Sequence, residues 1–110
     1  MRYGTSLVLL LLAAVLEAGG DAFIRAGIYS SAALRRLLFF VAGTLVLTAY
    51  GYTVNAPPWD FGRLLGVYVA FFFVVAQVIA WLSFGQKPSA SVLFGGLLIV
   101  CGGLIVSLNR

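Results

Sequence analysis

Three ionisable residues stand close together in an otherwise apolar stretch running from Val8 to Arg25: Glu17, Asp21 and Arg25. They are spaced at i, i+4 and i+8, so in a helix they share one face. Asp21 and Arg25 lie near the end of the apolar run, where the simplest arrangement is a mutual ion pair. Glu17 is then an acid in hydrocarbon with no cation beside it in sequence. Placing a carboxylate there costs roughly 2.5–3.5 kcal/mol on insertion scales. Desolvation favours the protonated form of a carboxyl group. In a bundle cavity, Glu17 is therefore suited to exchanging a proton for a cation. The plainer role is a carboxyl group that stays protonated and hydrogen-bonds across helices. No other acid lies deep in an apolar run, which favours the exchange role.

A cation needs more than one carboxylate, and the third apolar run supplies aromatic faces: Tyr68, Phe71, Phe72, Phe73 and Trp81. Tyr68 and Phe72 are four apart and share a helix face. Rings beside a carboxylate suit organic cations through cation–π attraction. Phe73 and Trp81 fit lipid-facing positions better, and Gln77 fits an interhelical hydrogen bond. Around Glu17, Ala13, Ala14, Ala18, Gly19 and Gly20 leave room for a neighbouring helix or a ligand. In the last run, Gly95 and Gly102, and Gly96 and Gly103, repeat at a spacing of seven. They form a smooth strip that favours close helix contact. It reads as a dimer face, with packing inside the protomer as the alternative. Cys101 is a small hydrophobe in this setting.

The elements that must position these groups follow from composition. The chain has 110 residues, 63% of them hydrophobic and 9% charged, with a mean hydropathy of +1.11. Soluble domains carry about 25% charged residues, so this is an integral membrane protein with no separate soluble domain. Apolar runs cover residues 4–24, 34–54, 64–84 and 91–108. Each approaches the ~20 residues a helix needs to cross the bilayer. There is no strand-like alternation to suggest a β-barrel. The fold expected is all-α: one domain, a bundle of four transmembrane helices. Short connections make successive helices antiparallel neighbours, and Pro57-Pro58 breaks the chain between the second and third. The beginning has some look of a cleavable signal peptide. Glu17 stands where a cleavage site would want small neutral residues, so the run is expected to remain as a span.

Net charge is +4. The cations divide almost evenly between the two sides, Arg2, Arg63 and Arg110 against Arg25, Arg35, Arg36 and Lys87. So slight a bias sets orientation weakly and opens the way to an antiparallel homodimer, with a single orientation fixed by Arg35-Arg36 as the alternative. A single cysteine excludes an intrachain disulfide. Without histidine, the commonest imidazole base and metal ligand are missing. No metal, cofactor or nucleic-acid partner is expected. Nor is an enzyme, because one internal acid assembles no catalytic set.

Three stretches resemble the small multidrug resistance superfamily of four-helix transporters. Leu16-Glu17-Ala18-Gly19-Gly20, with Arg25 following, resembles that family's first helix: an essential glutamate, a glycine three later, then a basic residue. Trp81-Leu82-Ser83-Phe84-Gly85-Gln86-Lys87 resembles the end of its third helix. Gly95-Gly96-Leu97-Leu98-Ile99-Val100-Cys101-Gly102-Gly103 resembles its helix-four dimerisation motif. The stretches fall in order along nearly the whole chain. The resemblance implies an antiparallel, dual-topology homodimer in the bacterial cytoplasmic membrane. Glu17 of both subunits would line one pocket and bind protons and substrate alternately. It further implies proton-coupled antiport and export of small cationic or hydrophobic compounds. There are departures: Tyr68 stands where multidrug members have tryptophan, and Asp21 replaces a small polar residue. The helix-two tyrosine has two candidate counterparts, Thr48 and Tyr50. Substrate and proton binding are thus expected at Glu17, Tyr68, Phe72, Tyr50 or Thr48, and Asp21. The competing functions are a subunit that moves or holds a lipid-linked sugar, and a non-transporting assembly protein of the membrane.

Overall fold

A computed structural model describes residues 1–108. It contains four helices: α1 (Tyr3–Ile28), α2 (Ala33–Val54), α3 (Phe61–Phe84) and α4 (Ala90–Leu108). There is no strand among the described residues. All four helices are long and apolar enough to cross a membrane. The shortest has 19 residues, about 28 Å at 1.5 Å per residue. Helices dominate because the bilayer offers no water, so every backbone N–H and C=O must pair within its own segment. Arg110, one of the cations counted above, lies outside the described residues.

α1 runs four residues beyond the apolar stretch that predicts it. Nothing between Ile24 and Ile28 breaks a helix, and the turn ends only at Tyr29, whose N–H reaches the Arg25 carbonyl at 3.2 Å. Ser30 Oγ donates to the Ala26 carbonyl at 2.8 Å. α3 stops at Gly85, which takes the left-handed conformation with φ of 65°. Its N–H donates to the Trp81 carbonyl at 3.0 Å, and that of Gln86 to Ala80 at 3.1 Å. A residue with a Cβ is strained in that conformation. The glycine of Phe84-Gly85-Gln86 is therefore a helix terminator.

The packing order is α2–α1–α3–α4, with contacts between α1 and α2, α1 and α3, and α3 and α4. The chain is only 19 Å thick along its shortest axis, less than two helix diameters. It is a slab with α1 and α3 at its centre. At one end the Tyr3 and Trp59 rings stack at 5.4 Å, and Arg63 covers Trp59 at 4.5 Å. There the Arg63 guanidinium also donates to the Ser107 carbonyl at 3.3 Å. The start of α1, the middle loop and the end of α4 thus share one side.

Small residues set the spacing. Leu10, Ala13 and Ala14 of α1 are fully buried in a core shared with Val54, Leu64, Val67 and Tyr68. α1 and α2 meet at Gly20 and Gly43. A Cβ on Gly43 would lie 2.8 Å from Ile24 Cδ1 and 3.1 Å from the Gly20 carbonyl oxygen. The backbone oxygen cannot give way as a side chain can. Gly43→Val is expected to lower unfolding stability by about 1–3 kcal/mol, the range for overpacking. Thermal unfolding in detergent checks this, and a melting temperature equal to that of the parent contradicts it.

The glycine strip of α4 divides in two. Gly96 and Gly103 are buried against α3: a Cβ on Gly96 would collide with Phe73, and one on Gly103 would come within 2.7 Å of Ala70. These two pack within the chain, the alternative weighed above to a dimer face. The reason is the register of α4 against α3, where Gly66 in turn receives Val106. Gly95 and Gly102 have open space around them and remain available to another helix.

Candidate functional site

α1 and α3 cross where Glu17 faces Tyr68. The Tyr68 hydroxyl donates to Glu17 Oε1 at 2.7 Å and lies 3.4 Å from the Ala13 carbonyl oxygen. Ala13 and Ala14, both fully buried, carry no bulk that would keep α3 away. Tyr68 is itself only 4% exposed, whereas Glu17 is half-buried. The phenol has a single O–H, and here it is aimed at the carboxylate. Such a bond holds the acid in one orientation and leaves its second oxygen for another partner.

Two further rings complete the cluster. Tyr50 of α2 lies 5.7 Å from the Tyr68 ring centroid, tilted by 33°. Phe72, one turn along α3, lies 6.1 Å from Tyr68 at 29°. Three helices thus converge on one carboxylate. Of the two helix-two candidates, the structure brings Tyr50 to the cluster and leaves Thr48 out. Thr48 is exposed, and its hydroxyl donates to the Thr44 carbonyl of its own helix at 2.9 Å. The Gly20–Gly43 crossing sets the rotation of α2, and two residues along a helix point almost opposite ways.

Asp21 is exposed, and the expected ion pair with Arg25 does not form. The Arg25 guanidinium instead lies over two rings, 5.3 Å from that of Tyr29 and 5.4 Å from that of Phe84. The i, i+4 spacing permits the pair, but α3 brings the Phe84 ring within cation–π reach of Arg25. Both side chains line a cleft of about 290 Å³ between α1 and α3, together with Phe72, Phe84 and Gln86. Sequence reasoning missed Phe84 and Gln86 as neighbours of this site. The signal available was their place in the Trp81–Lys87 stretch, read there as a helix end. Gln77 lines an apolar groove of about 410 Å³ between α3 and α4. Among the described residues its side-chain amide has no hydrogen-bond partner.

Four spanning helices, three of them meeting at a hydrogen-bonded acid, define a small multi-pass membrane protein. The chain is 33% identical over 104 residues to a UPF0060 membrane protein of Saccharopolyspora erythraea, covering 92% of this chain and 90% of the relative. It is 30% identical over 103 residues to a UPF0060 membrane protein of Clostridium perfringens, with the same coverage. The chain belongs to the UPF0060 family of membrane proteins. No family model matches it, and no solved structure matches it.

Proposed function

We propose that this protein is a proton-coupled antiporter of the small multidrug resistance type, exporting small cationic or hydrophobic compounds. The observation that carries the reading is the 2.7 Å bond from Tyr68 to Glu17, set among the rings of Tyr50 and Phe72. Glu17 is the exchange site. When protonated it is neutral and tolerable in hydrocarbon. When ionised it attracts a cation, which the ring faces stabilise. Proton and substrate therefore exclude one another at a single carboxylate, and that is the coupling.

The transporter works as an antiparallel homodimer. A slab 19 Å thick leaves the Glu17 side of α1 and α3 to be covered by a second copy. Gly95 and Gly102 supply a smooth surface for the partner's α4. Gln77, polar and unpartnered in mid-span, gains by a hydrogen bond from another chain, since a lone amide in lipid is unfavourable. The near-even division of cations between the two sides supports insertion in both orientations.

Proton release from the purified protein on mixing with a panel of organic cations tests the reading. Release is expected with at least one cation, and the same cation should protect Glu17 from carbodiimide labelling. Silence across the panel, with labelling unchanged, favours a lipid-linked sugar subunit or an assembly role.

A further inference from the structure

We infer that the cleft beside Glu17 takes a dipolar organic ion, binding an ammonium group at Asp21 and a carboxylate or similar oxyanion at Arg25. The inference deepens the exchange reading and rests on it. The cleft lies between α1 and α3, has about 290 Å³, and is lined by both charged side chains. They stand one helical turn apart, about 6 Å along the axis, yet neither neutralises the other. Arg25 is instead held over the Tyr29 and Phe84 rings. The Arg25 guanidinium makes no side-chain hydrogen bond among the described residues, and its N–H edge matches a carboxylate with two parallel bonds. Asp21 is exposed and accepts an ammonium.

Phe72 is the wall that the cleft shares with the exchange site. It lines the cleft and also packs on Tyr68, whose hydroxyl holds Glu17. A ligand with its ammonium at Asp21 is then one turn from the exchanging carboxylate. A cation without an acidic group meets Arg25 as a like charge, which counts against it. The cleft thus favours an ω-amino acid with its charges about one helical turn apart.

The matched probes are 4-aminobutyrate and 4-aminobutanamide, which share chain length and ammonium group but differ in the carboxylate. Binding to the full chain is measured by calorimetry, in nonionic detergent and in phosphatidylcholine nanodiscs. The acid is expected to bind about tenfold tighter than the amide or better, as a hydrogen-bonded charge pair implies. Arg25→Gln should bring the two together, and Arg25→Lys should keep part of the preference. Equal binding of acid and amide by the parent protein, no binding of either, or a preference that survives Arg25→Gln overturns the inference. So does an Arg25 effect seen only as altered retention of phosphatidylglycerol, which would make the residue a lipid-phosphate contact. The two readings fail separately. If cations release protons through Glu17 while the acid is not preferred, exchange stands and the dipolar cleft falls. If nothing releases protons but the Arg25-dependent preference holds, the cleft stands as a binding site and exchange falls.

Discussion

Glu17→Gln is expected to reduce proton-coupled exchange to the level of empty vesicles while leaving the protein folded. Glutamine has nearly the shape of glutamate and keeps a carbonyl oxygen to accept the Tyr68 hydroxyl. The contact at 2.7 Å and the α1–α3 crossing around it can therefore persist. What disappears is the titration: an amide neither releases a proton nor carries the charge that binds a cation. The measurement is uptake into proteoliposomes under an imposed pH gradient, beside a thermal unfolding curve. Parent-like stability with no exchange is the expected pair of results. Undiminished exchange in Glu17→Gln sinks the mechanism. Glu17→Asp keeps the charge but draws it back by one methylene, away from Tyr68, and should retain only part of the activity.

Tyr68→Phe should lower stability by about 1–2 kcal/mol, between the values for interhelical bonds in membranes and for bonds to charged acceptors. It should also weaken cation binding about tenfold, which corresponds to 1.4 kcal/mol. The phenylalanine ring still packs on Tyr50 and Phe72 and fills nearly the same space, so the loss isolates the hydroxyl. Without that donor the Glu17 carboxylate is free to rotate, and a ligand must order it on binding. A double-mutant cycle separates this from a general packing effect. In the Glu17→Gln background the hydroxyl faces a neutral amide, and Tyr68→Phe should lose much of its effect on stability. Equal losses in both backgrounds would show that the hydroxyl acts independently of the acid's charge.

Much of the fold was legible in the sequence because lipid imposes so few options. Four apolar runs without alternation leave little besides four helices, and Pro57-Pro58 and Gly85 mark where two of them must turn or end. Glu17 was legible for the same reason: an acid among leucine, valine and alanine is costly in lipid and stands out. Its partner was less so. Tyr68 lies 51 residues away, and only its place among aromatic residues and the family resemblance drew attention to it. Hydropathy says that α3 spans, but not which of its rings faces α1.

Rotation and register are what the tertiary structure alone decided. Thr48 and Tyr50 fitted the pattern equally, until the close approach of Gly20 and Gly43 turned α2 to present Tyr50. The glycines of α4 formed one strip in sequence, until the register against Ala70 and Phe73 buried Gly96 and Gly103 and left Gly95 and Gly102 open. Asp21 and Arg25 had the spacing of an ion pair, until Phe84 arrived from α3 and drew the guanidinium aside. Composition and hydropathy pattern determined four spans and an acid placed at a cost within the first. They could not determine what surrounds it, because side-chain neighbours across helices depend on the contact of small residues. That contact is settled only when the helices pack.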